Sequence, residues 1–123
     1  MTAMVLLNMG KLSRNKGARW ERRVANLLTD ALGEDCRRSG NQSREGSDAP
    51  DVVAPVFWPE CKVGKSFSIK GAMAQATRDM EKSHLDKRWA VAITKVDNER
   101  PLATMYLDDF LDLIREWHTR SDP

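Results

Sequence analysis

Four residues of this chain have the types and spacing to hold a hard divalent cation beside a lysine. Asp51 follows Pro50 at the start of one apolar run, and Glu60-Cys61-Lys62 closes the next, nine residues on. Side chains alternate along a strand, so Glu60 and Lys62 share a face and Cys61 points away. If the two runs form a tight hairpin, Asp51 and Glu60 face one another at one end. Two carboxylates so placed can hold a hard divalent cation such as Mg²⁺, with Lys62 beside them. Glu21 is the fourth residue. On a helix it is rotated about 100° from Trp20, between Leu28 and Leu32 in an apolar stripe, and an acid aimed at a core is costly unless a cation or donor meets it. Bound Mg²⁺ lowers the pKa of water and neutralises developing negative charge, so a hydrolytic site of acids and one lysine needs no histidine. Lys62 is expected to orient water and stabilise charge rather than to abstract a proton.

The rest of the composition removes other chemistries. The only histidines, His84 and His118, are far apart, which argues against a histidine-metal nuclease or a Ser-His-Asp hydrolase. Gly64-Lys65-Ser66 resembles the tail of a phosphate-cradling loop, but position 59, where that motif needs glycine, is Pro. Tyr106 lies in an apolar run and is expected to be a core residue. Cys36 and Cys61 have no CxxC spacing and are expected to be reduced and unpaired. No apolar run is long enough for a membrane span, and the opening residues make a poor signal peptide, so a cytoplasmic protein without membrane contact is expected.

These groups must be positioned by a chain of 123 residues, the length of one domain spanning 1–123. Trp20, Val24, Leu27, Leu28, Ala31 and Leu32 predict a helix over 15–32, stopped by Gly33, with 1–14 as an N-terminal arm. A short strand at about 35–38 precedes a polar loop over 39–49. The runs 51–54 and 56–62 read as the hairpin, with Pro55 as its turn and Pro59 favouring an edge or bulge. Ile69, Ala72, Met73, Ala76 and Met80 predict a second helix over about 68–83. Strands follow at 89–94 and within 101–107, and Asp108 or Asp109 is expected to cap a last helix carrying Phe110, Leu113, Ile114 and Trp117, with 118–123 as a tail. The order α, β, β, β, α, β, β, α implies an α/β fold, a mixed sheet of about four to five strands flanked by helices.

In this order the motifs resemble the PD-(D/E)XK nucleases, and within them the archaeal-type Holliday junction resolvases also found in phages. The similarity is carried by Lys16-Gly17 and Glu21, Arg37-Arg38-Ser39-Gly40, Pro50-Asp51-Val52-Val53-Ala54, Glu60-Cys61-Lys62, Gln75 and the strand Trp89-Ala90-Val91-Ala92. It implies a restriction-endonuclease-like core. It also implies that Glu21, Asp51, Glu60 and the Cys61 carbonyl bind Mg²⁺, for which Mn²⁺ can substitute, and that Lys62 positions the attacking water or stabilises the phosphorane. Ser39 or Ser43 would contact phosphate, and Gln75 matches the glutamine of the family's second helix.

Net charge is only +2, but between Lys11 and Arg23 six basic residues, Lys16 and Arg19 among them, stand against the single acid Glu21. Arg37, Arg38, Arg44, Lys65 and Lys70 continue the basic set, as expected for gripping DNA phosphates without reading bases. The resemblance implies a homodimer cutting four-way junctions or other branched DNA, in the host cytoplasm if phage-encoded. A repair or restriction-type nuclease, or a catalytically silent nucleic-acid-binding module on the same fold, are the alternatives.

Overall fold

The computed structural model describes residues 3–40 and 49–121, and of 3–9 and 121 the backbone alone. Eight elements follow in order: α1 (Ala3–Leu32), β1 (Arg37–Arg38), β2 (Val52–Val53), β3 (Phe57–Gly64), α2 (Ile69–Lys82), β4 (Trp89–Val96), β5 (Leu102–Thr104) and α3 (Leu107–Ser121). Ser43 and Arg44, in the polar loop, lie outside the described residues.

β3 and β4 run parallel from Phe57↔Trp89 to Gly64↔Val96, joined by the α2 crossover, and β5 adds antiparallel to β4. The two faces of β3 bury against different helices. Trp58 packs with Ala72, Met73 and Ala76 of α2, whereas Cys61 packs with Trp20, Val24 and Ala25 of α1. Small alanines on α2 and β4 let the helix approach closely enough to enclose the Trp58 ring completely. Ser68 caps α2, its hydroxyl accepting from Gly71 N at 2.8 Å.

Several expectations need correction. The runs 51–54 and 56–62 do not form a ladder; β2 pairs with β1 instead, Arg37 opposite Val53. The cause is Pro59. Its carbonyl faces β2, accepting from Asp51 N at 3.2 Å, so its missing N–H falls on that same edge and the ladder stops at one bond. The five strands are therefore split into a three-stranded and a two-stranded sheet. Helix α1 begins at Ala3, twelve residues before the expected Asn15, because no proline interrupts that stretch. The buried arc of α1 is narrow: Leu27 and Leu32 are exposed, since only short strands lie above that end of the helix. Tyr106 is likewise exposed, with its hydroxyl 3.5 Å from Thr77 Oγ1. Asp108 and Asp109 do not cap α3; Phe110 N bonds to Tyr106 O at 3.0 Å, which places both acids inside the first turn, where the helix dipole favours them. The helix continues to Ser121, through most of the expected tail.

Candidate active site

The site is organised by the free edge of β3. Within a strand the N–H and C=O of one residue point to the same edge. Cys61 N donates to Asp51 Oδ2 at 2.8 Å, away from β4, so the Cys61 carbonyl faces Asp51 as well. Asp51 is held from both sides, since its amide donates to Pro59 O and its carbonyl accepts from Ser39 N at 3.1 Å. The Ser39 hydroxyl donates to Pro50 O. Ser39, one of the two serines expected as a phosphate contact, fixes the turn that presents Asp51.

Glu60 is 5% exposed, on the α2 face of β3. Lys62 shares that face, its Nζ 3.7 Å from Glu60 Oε1. Burial first, then the charge of Asp51, pushes the Glu60 carboxyl up to about 7; Lys62 opposes the rise, and Asp79 on α2 adds to it. The Asp51 carboxyl is also raised, chiefly by burial, against the bond from Cys61 N, with Glu21 adding repulsion and Lys62 and Arg38 relieving it. The Cys61 thiol sits in the core under α1, and burial above all, reinforced by Asp51, Glu21 and Glu60, drives its pKa far upward, so the sulfur stays protonated. Cys61 can serve the site only through its backbone. Both cysteines are free thiols, as expected.

Glu21 lies on α1, and α1 covers the opposite face of β3 from Glu60. The two acids thus approach the edge from different sides, with the Asp51 carboxyl raised by Glu21 and itself raising Glu60. Arg38 Nε donates to Glu21 Oε1 at 2.7 Å. Among the described residues no three acid, cysteine or histidine side chains are gathered around a common point for a metal. The expected meeting of three carboxylates is therefore not closed, because the helix that carries Glu21 packs on the Cys61 face and Arg38 holds its carboxylate. In kind, the donors fit a hard cation. Half-buried Asp51 and buried Glu60 are oxygen ligands whose mutual repulsion a divalent ion would relieve, and the Cys61 carbonyl faces the same edge.

The basic residues are spread over several elements. Lys16 Nζ is 2.6 Å from Asp97, a partly exposed pair whose loss to a phosphate would be inexpensive. Arg19 and Arg22 line a shallow groove on α1 with Leu12, Asn15 and Ala18. Arg37 and Lys65 are exposed, and Gln75 is half-buried on α2. Two partners, Asp79 acting on Glu60 and Arg38 against Glu21, leave no sign in the sequence, because both relations arise only when separate elements meet.

A family model described as phage putative PDDEXK endonuclease matches residues 12–116, a span that includes Glu21, Asp51, Glu60 and Lys62. No curated protein and no solved structure matches the chain.

Proposed function

The chain belongs to the phage putative PDDEXK endonuclease family, and from that premise we propose that it is a metal-dependent endonuclease cutting branched DNA, a resolvase of four-way junctions. The observation that carries the reading is the edge of β3, where Asp51, the Cys61 carbonyl, buried Glu60 and Lys62 converge. Asp51, Glu60 and the Cys61 carbonyl would hold Mg²⁺ or Mn²⁺, with Glu21 as a further ligand. Such an ion supplies an acidified water and charge neutralisation at the phosphate. The chain's own residues do the rest: Lys62 orients the water and faces the developing charge, while Arg19, Arg37 and Lys65 hold flanking phosphates. With DNA as substrate, the host cytoplasm is the place of action.

The test compares a labelled four-way junction with duplex, flap and single-stranded DNA, in Mg²⁺ and in EDTA, with Asp51→Asn as control. Symmetric, Mg²⁺-dependent nicks near the crossover, absent in the control, support the proposal. Preferential cutting of plain duplex replaces it with a restriction or repair nuclease. Binding without cleavage of any substrate replaces it with a silent binding module.

Cutting two opposed strands calls for two sites, and helix α3 carries a surface suited to pairing them. It turns Asp109, Leu113 and Glu116 toward the body, with Glu116 2.6 Å from Arg88, and leaves Leu107, Phe110, Leu111 and Ile114 exposed. Its first half bears Asp108, Asp109 and Asp112; its second bears Arg115, His118 and Arg120. Two copies laid antiparallel about a two-fold axis would bury the apolar stripes and set each acidic half against a basic one. Ile114→Glu is expected to weaken the dimer at least about 30-fold, read as a shift to monomer in sedimentation velocity. A parent chain that sediments as a monomer at micromolar concentration would remove this part of the reading.

A further inference from the structure

The pairing of Arg38 with Glu21 is a contact that the chemistry does not require. Glu21 stands on the α1 side of β3, opposite Glu60, and its carboxylate meets a guanidinium through one nitrogen, Nε, at 2.7 Å. The side chains are 30% and 21% exposed, so the pair sits at the rim of the site rather than sealed inside it. Arg38 is also among the cations that hold down the Asp51 carboxyl, which places its charge where the acids want one. Its position in the chain ties it to the same turn, because Ser39 N, the next amide, binds Asp51 O.

We propose that Arg38 is an exchangeable counter-ion for Glu21: in the DNA-free protein it occupies the carboxylate, and a DNA phosphate draws it away, opening Glu21 to a divalent cation. The inference rests on the reading of the site as a metal-dependent nuclease. Guanidinium binds phosphate through two parallel N–H bonds, a better fit than the single contact it makes with Glu21. A partly exposed ion pair at the rim is weak enough to be exchanged. Metal and DNA then bind cooperatively, and by linkage each raises the affinity for the other by the same factor. Arg38 is here a positioning residue acting through Glu21. The exchange also accounts for the three carboxylates not being closed into a cage in the protein without DNA.

The test is Mn²⁺ titration, followed by electron paramagnetic resonance, of the full chain carrying Lys62→Met so that DNA is not consumed. Adding a four-way junction is expected to tighten Mn²⁺ binding on the order of 10-fold. In the same background Arg38→Gln should show that tighter binding without DNA and gain little from the junction, whereas Arg38→Lys, which keeps the charge, should restore weak DNA-free binding. If Arg38→Gln leaves DNA-free Mn²⁺ affinity unchanged or lowers it, while Asp51→Asn abolishes binding, the exchange is wrong and the metal site stands. If Asp51→Asn binds Mn²⁺ as the parent does, the metal-dependent reading itself fails and the exchange falls with it.

Discussion

Lys62→Met is expected to slow DNA cleavage by about 10²–10³-fold while changing DNA affinity by less than about threefold. Methionine keeps the apolar stem of lysine, so packing along β3 is retained and only the ammonium is lost. That ammonium is partly exposed and 3.7 Å from Glu60, at the point where charge would develop during attack on phosphorus. Its contribution to simple binding is one phosphate contact among many, which should lower the salt dependence of binding by roughly one counterion. Single-turnover cleavage and gel-shift titration at several salt concentrations separate the two effects. Equal losses in rate and affinity would make Lys62 a phosphate anchor and leave the water without its orienting group.

The second large effect concerns stability. The Glu60 carboxyl, raised from 4.5 to about 7 mainly by burial, binds its proton more tightly in the folded chain than in the unfolded one. Its favourable contribution is complete below about pH 4.5 and is lost as the pH rises through 7, where the folded protein must carry the charge in a poorly solvated place. The difference is about 2–3 kcal/mol. Metal-free wild type in EDTA is expected to lose that much between pH 5 and pH 8 in urea denaturation, the Asp51 shift adding in the same direction. Glu60→Gln should flatten most of the slope, be the more stable protein at pH 8, and be inactive. Adding Mg²⁺ at pH 8 should then stabilise wild type and leave the variant unmoved. Parallel pH profiles for the two proteins would show that Glu60 is better solvated than its 5% exposure implies.

The order of elements and the amphipathic helix α2 were legible because helical periodicity is local. So were the shared face of Glu60 and Lys62 and the weakness of Pro59 as a ladder residue. The partner of β2 was not. Val52-Val53 could pair with either neighbour, and the choice fell to the β1 backbone once Pro59 had removed a donor from the β3 side. The place of Glu21 was half legible. Its angle puts it inside the apolar stripe of α1, whereas it stands partly exposed at the margin, and which face of β3 the helix covers depends on long-range packing of Trp20 and Val24. The exposure of the α3 stripe was not legible for the same reason: periodicity identifies an apolar face and says nothing of what it meets.

The division of Cys61 between sulfur in the core and amide at the site has a bearing on how this protein can vary. A contribution made by main-chain atoms is indifferent to the letter written at that position, so valine or alanine there would trouble the interior and leave the chemistry untouched. Site-directed mutagenesis is blind to it. Only replacing the linkage itself, an ester for the amide that holds Asp51, would expose what residue 61 does.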